Sequence, residues 1–348
     1  MIRWLVLLGI SALLALSAPT VALAKEDKTT ALFADDAPLD LTISGPLRSI
    51  VRSAERSTAP EPGTLSAAGE THTIALSARG ISRRQREKCK FPPLMLDLET
   101  KPGEASLFHR QNRIKLVTHC NDGASAEQQT LREYAAYRLY AAITPDSLKT
   151  RLVRVSYVDD EQMMDAKWGF LIEDADDAAR RVGRKEADSG NIPLGTLDQQ
   201  DAARFALFQY MIGNTDWAMI RGPDPADCCH NTKLLGAAKD AANDLTPVPY
   251  DFDNSGWVDA PYAYVNPQFR IRTVKTRVYR GFCSFNALIP QQVEAFRAAR
   301  PAMEAELRAI PGLQTRTRDT LLRYLGSFFE DVATADRIES RLLGRCRE

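Results

Sequence analysis

The chain has 348 residues, with 45 basic and 45 acidic side chains, so its formal charge is zero. That balance argues against a general nucleic-acid binder, which carries a strongly basic face. With 44% apolar residues, the chain is long and apolar enough for a large core in one or two domains.

Residues 1–24 read as a cleavable signal peptide. Arg3 supplies a positive start, residues 4–16 a short apolar core, and Ala22-Leu23-Ala24 a small-residue exit before Lys25-Glu26-Asp27. Ser17, Pro19 and Thr20 interrupt the apolar run before it reaches spanning length. The mature chain is therefore expected to be exported, either periplasmic or secreted, with no membrane contact after signal removal and no nucleic-acid partner. All six cysteines (Cys89, Cys120, Cys228, Cys229, Cys283, Cys346) lie in the mature part. An even count in an oxidising compartment suggests disulfides, with the pairing left open. His119-Cys120 and Cys228-Cys229-His230 fit no standard zinc spacing.

Residues 25–38 are polar and expected to be flexible. Residues 39–43 alternate apolar and polar as a strand does. Residues 46–70, with Pro60, Pro62, Gly63 and Gly69, read as a long connection. Residues 73–77, 94–98 and 113–117 are further predicted strands, with a basic run (Arg83, Arg84, Arg86, Lys88, Lys90) between the first two. The first long helix is predicted over 126–142, with Leu131, Ala135, Leu139 and Ala142 on one face. Residues 151–158 and 168–172 return to strand composition. Asp198 can cap a helix running to about Ile212, where Gly213-Asn214 stops it. Short extended pieces follow at 231–235 and 247–252, and the chain from Gln291 onward is mostly helical. The outline is α+β, with a strand-rich half over 39–174, a helical half over 175–348 and a cleft between them.

The sharpest chemical signal is Pro249-Tyr250-Asp251-Phe252-Asp253-Asn254-Ser255-Gly256. Carboxylates at i and i+2 of an extended segment point to one side, which suits a hard cation such as magnesium or calcium. An EF-hand is excluded. The position that demands a bidentate glutamate is Tyr262, and Pro247-Val248-Pro249 cannot be the interior of an entering helix. Asp216, in Gly213-Asn214-Thr215-Asp216-Trp217 just past a helix end, is placed to act as a base or ligand. Asn231 can offer an amide oxygen to a metal. Lys115 is a lone cation in an apolar strand, and Glu133 lies on the following helix. Taken singly, each is an ordinary surface or turn residue. Their order, however, is that of a protein kinase: strand lysine, helix glutamate, loop aspartate, asparagine, then Asp-Phe-Asp.

The sequence resembles the CotH-like branch of atypical protein kinases over about residues 39–285, and more loosely the HipA-like and secretory-pathway kinases. Arg79-Gly80-Ile81-Ser82-Arg83 is similar to that branch's Arg-Gly-x-Ser segment. Ile114-Lys115-Leu116 resembles its nucleotide-lysine strand, Leu131-Arg132-Glu133 its glutamate helix, and Trp168-Gly169-Phe170-Leu171-Ile172-Glu173 the strand into its hinge. Asn214-Thr215-Asp216-Trp217 and His230-Asn231-Thr232 resemble its catalytic loop, and Pro249-Tyr250-Asp251-Phe252-Asp253 its metal motif.

The resemblance implies a bilobal protein-kinase-like fold, with a strand-rich N-lobe and a mainly helical C-lobe. It implies Asp216 as catalytic base, Asn231, Asp251 and Asp253 at magnesium, Lys115 and Glu133 at the nucleotide, and Arg79, Ser82 and Arg83 at its phosphates. The implied function is an exported phosphotransferase using magnesium with ATP or another nucleotide on a protein or small-molecule hydroxyl. The alternatives are a catalytically silent binding protein and an exported metal-dependent hydrolase. The chain departs from the pattern in two places: a Pro/Cys loop at 221–229 separates Asp216 from Asn231, and no glycine-rich loop is present.

Overall fold

The computed structural model describes residues 28–159, 161–164 and 166–348, so the signal-peptide reading of residues 1–24 falls outside the described residues. In chain order the first elements are α1 (Ala31–Ala34), β1 (Leu39–Ser44), α2 (Leu47–Ser53), β2 (Glu61–Ala67), β3 (Glu70–Ala78), β4 (Leu94–Leu98) and β5 (Arg113–Val117). Then come α3 (Ala124–Ala141), β6 (Thr150–Asp159), β7 (Gln162–Met163), β8 (Lys167–Ile172), α4 (Ala175–Arg181) and β9 (Lys185–Glu186). The chain ends with α5 (Gln199–Met211), β10 (Thr232–Gly236), β11 (Thr246–Pro249), α6 (Ile289–Ala309), α7 (Thr315–Asp331) and α8 (Ala335–Arg341).

Seven strands close on themselves in the order β1-β2-β3-β4-β5-β8-β6, and β7 extends β6 as an eighth. Closure comes from a parallel pairing of β1 with β6, running from Leu39 opposite Val153 to Ser44 opposite Val158. The other barrel pairs are antiparallel. This corrects the expected bilobal protein-kinase-like fold. The strand-rich half is a closed mixed barrel attached to a helical region, not an open-sheet lobe. Alternation marks residues 39–43 and 151–158 as strands, but it does not say that these two, over a hundred positions apart, pair with each other.

Two local expectations also change. Residues 61–67, expected within a long connection, form β2 despite Pro62 and Gly63. Pro62 sits at the strand's start, where a missing donor is tolerated. Gly63 lets β1 pass close, because a Cβ there would come within 2.7 Å of the Ser44 carbonyl. Residues 25–38 are not wholly flexible. α1 buries Leu32 and Phe33 against the barrel core, and Arg151 donates to the Leu32 carbonyl and to Asp35.

Two apolar cores share one wall. Leu41, Ile43, Leu76, Leu96 and Leu116 fill the barrel. The helical core gathers α3, α5, α6 and α7 around Phe208, Phe252, Phe296 and Phe328. On β8 the strand period of two divides the residues, with Leu171 in the barrel and Phe170 and Ile172 in the helical core.

β9, β10 and β11 form a small separate sheet beside the cleft. Cys89 pairs with Cys120 and Cys283 with Cys346, while Cys228 and Cys229 pair with each other rather than tying the 221–229 loop to a distant cysteine. Such bonds fit a chain that matures in an oxidising compartment. Among the described residues no helix is long and apolar enough to cross a membrane.

Candidate functional site

A cleft of about 460 Å³ lies where the barrel meets the helical region. Its lower side begins at the end of α5, where Gly213 turns the chain out of the helix at φ 63°. The Asn214 side chain accepts the Asp216 N–H at 2.9 Å, and the Trp217 indole donates to the Asn214 carbonyl at 3.0 Å. Gly256 N–H donates to the Gly213 carbonyl at 3.1 Å, stitching this turn to the segment that carries Asp251 and Asp253.

Asp216 is held from two sides. His230 Nε2 lies 2.8 Å from its Oδ1, and the Asn231 side-chain amide donates to its carbonyl at 2.7 Å and its Oδ2 at 3.3 Å. The hydrogen bond to Asp216 raises the His230 pKa, against the effect of burial. The 221–229 loop that separates Asp216 from Asn231 in sequence does not separate them in space.

Asn231 and Asp251 flank the open end of the β10–β11 hairpin, and both take left-handed backbone, at φ 51° and 59°. Asparagine and aspartate tolerate that region better than most residues. The Asp251 N–H is fixed by the Tyr137 hydroxyl of α3 at 2.9 Å. The two aspartates do not sit on a regular strand, because β11 ends at Pro249. They still reach a common partner while Phe252 enters the core against Tyr137 and Phe208.

That partner is Arg83. Its guanidinium meets Glu133 through two nitrogens at 3.0 and 3.3 Å, Asp251 at 3.1 Å and Asp253 at 3.2 Å. This is the fork geometry for which arginine suits buried carboxylates. Burial, then the neighbouring Asp251 carboxylate, push the Asp253 pKa up to about 8, and the Tyr262 hydroxyl donates to its Oδ2 at 3.2 Å. Burial raises the Glu133 pKa as well, with Arg83 opposing.

Arg79, Ser82 and Lys88 line the barrel side of the cleft, and among the described residues no ion pair holds any of them. Burial lowers the Arg79 pKa, with the charge of Arg83 adding to the effect. Tyr264 lines the mouth, and its phenol pKa is raised chiefly by Asp216.

The structure therefore brings Asp216, Asn231, Asp251, Asp253, Arg79 and Ser82 into one cleft, with Arg83 and Glu133 directly behind its acidic side. It does not bring Lys115 there. The Lys115 ammonium lies 3.6 Å from Asp174 in a separate polar groove, its pKa lowered by burial, and Glu133 is paired with Arg83 instead. Sequence reading gave no role to His230, Tyr137 or Lys88. His230 stands in the segment that resembles a catalytic loop, but nothing in the sequence marks it as the partner of Asp216.

The donor set fits a hard divalent cation. Asn231 uses its amide N–H groups on Asp216, which leaves its Oδ1 free, and Asp251 is half-exposed with one carboxylate oxygen not used by Arg83. Asp253 fits less well, since Arg83 and Tyr262 occupy its Oδ2. No protein-family model matches this chain, and no curated protein does either.

Proposed function

We propose that this protein is an exported phosphotransferase, periplasmic or secreted, that uses a magnesium–nucleotide to phosphorylate a hydroxyl group. The observation that carries the reading is the meeting of Asp216, Asn231 and Asp251 in one cleft, opposite Arg79 and Ser82. A base, oxygen ligands for a cation and a cationic wall are the parts that phosphoryl transfer requires.

Asp216 accepts the proton of the acceptor hydroxyl while His230 and Asn231 fix its carboxylate. The hydroxyl oxygen bonds to phosphorus as the bond from phosphorus to the donor's bridging oxygen breaks. Arg79 and Lys88 neutralise charge on the phosphoryl oxygens, and Ser82 offers them a hydroxyl donor. Asn231 and Asp251 would hold magnesium, which supplies charge neutralisation on the donor's phosphates. Arg83 positions Asp251 from behind. Lys115 has no part in this reading.

The test is phosphate transfer and nucleotide turnover by the mature protein with ATP or GTP and magnesium. Asp216→Asn is expected to lose about 10²–10⁴-fold in turnover while its melting temperature stays near that of the parent. Asp251→Asn is expected to lose the magnesium-dependent rise in melting temperature that nucleotide gives the parent. Undiminished turnover in Asp216→Asn, or no thermal response of the parent to any magnesium–nucleotide, overturns the reading.

A further inference from the structure

Three large apolar side chains stand out as exposed among the described residues: Ile81, Met163 and Tyr264. Two of them, Ile81 at 83% and Tyr264 at 53% exposure, line the mouth of the cleft that holds Asp216. Ile81 arrives from the barrel side, between Gly80 and Ser82. Tyr264 arrives from the segment after Asp253, where its N–H is held by the Asn254 side chain at 2.8 Å. Apolar surface kept in water at a cleft mouth favours a ligand that covers it.

The charges flanking these residues are mostly cationic, with exposed Glu87 among them and Lys90 paired with Asp122 at 3.8 Å. On the barrel side Lys88 lines the cleft, and Arg86 and Lys90 are exposed beyond it. On the other side Arg270 and Arg272 are exposed and follow Phe269. Phe269 is anchored beside the site, because Arg280 lies 5.3 Å from its ring and 4.6 Å from that of Trp217, next to Asp216. Among the described residues neither Arg270 nor Arg272 forms an ion pair. Against these cations the cleft sets the carboxylate of Asp227 at its rim and those of Asp216, Asp251 and Asp253 inside.

We infer that the acceptor is an acidic polypeptide segment, which places a bulky apolar side chain between Ile81 and Tyr264 and its hydroxyl at Asp216. This rests on the phosphotransfer reading for the role of Asp216, but apart from Lys88 the docking surface is defined by residues outside that chemistry. A small polar acceptor would leave both apolar side chains in water and both cationic flanks unanswered. An extended acidic chain uses both at once, with the apolar contact anchoring it and the charges selecting it.

The experiment is fluorescence anisotropy on the mature protein, without nucleotide. The probe is a labelled peptide with a central Ser-Leu pair flanked by glutamates. Its counterparts carry lysines in place of the glutamates, or glycine in place of the leucine. The acidic Ser-Leu probe is expected to bind more tightly than either. Ile81→Ser combined with Tyr264→Ser is expected to weaken it by about tenfold. Arg270→Ser combined with Arg272→Ser is expected to weaken it and to flatten its dependence on salt. Equal binding of the lysine peptide, or full binding by both double variants at parental melting temperature, overturns the inference. Peptide that binds as expected but receives no phosphate when nucleotide is added counts against phosphotransfer and leaves the docking surface standing.

Discussion

Arg83 is the residue on which the acidic side of the cleft depends. Three carboxylates, from α3 and from the segment after β11, converge on one guanidinium that is almost wholly buried. Removing it leaves Glu133 and Asp253 buried without a counter-charge. Arg83→Met is therefore expected to destabilise the fold by about 3–5 kcal/mol, read from urea unfolding midpoints. Arg83→Lys keeps the charge but replaces a planar fork with a single point, so it should recover only part of that loss. A change below about 1 kcal/mol in Arg83→Met would show that the network does not hold the fold together. The lone cation in an apolar strand, Lys115, attracts attention in the sequence. Arg83, inside a basic run, looks like one solvated charge among several. Only long-range packing distinguishes them, because it buries Arg83 beside α3 and gives Lys115 to Asp174.

At the scale of elements, the turn between β5 and α3 carries a titratable group under the end of the barrel. His119 stacks on Phe91 at 4.9 Å and lies 5.8 Å from Tyr157, and its Nδ1 is buried without a hydrogen-bond partner. Burial, then the positive charge of Lys167, lower its pKa from 6.5 to about 4. The folded state therefore binds this proton more weakly than the unfolded state. Above pH 6.5 neither state is charged and nothing is lost. As pH falls from 6.5 to about 4 the unfolded chain takes up the proton first, so stability declines across that window, by up to about 3 kcal/mol. Unfolding free energies of the parent and His119→Phe, compared across this range, should diverge by the histidine's share; parallel curves would refute the assignment. The sequence shows many of the elements themselves. The helix expected over 126–142 forms over Ala124–Ala141, and Asp198 caps α5 by accepting the Asp201 N–H. These are local signals of period, cap and stop. Asp216, Asn231 and Asp251 are visible in the sequence for the same reason, since each sits at an element end marked by Gly, Asn or Pro. The β1–β6 pairing, the strand β2 through Pro62 and Gly63, and the partner of Glu133 have no local signature, because each depends on what a distant segment supplies.

The whole molecule is joined through the wall formed by β5, β8 and β6. Successive residues of that wall serve different cores. Val117, Leu152 and Phe170 face the helices, while Leu116, Val153 and Leu171 face the barrel interior. Neither core can lose this wall and keep its packing, because a strand that leaves the barrel also takes its alternate side chains out of the helical core. The candidate cleft spans the same junction, with Arg83 from the barrel side bound to Glu133 of α3 and to Asp251 and Asp253. The barrel and the helical region are thus expected to unfold in one cooperative transition, not as two independent domains. Trp217 and Trp257 are buried in the helical core, so their fluorescence reports on that part, and amide hydrogen exchange of β1 to β4 reports on the barrel. Coincident midpoints by both probes in urea are the expected result. Leu171→Ala should lower both midpoints together by an amount equivalent to about 2–5 kcal/mol, although its side chain touches only the barrel core. A barrel transition that moves while the tryptophan transition stays fixed would show that the two cores are energetically separate and that the shared wall does not couple them.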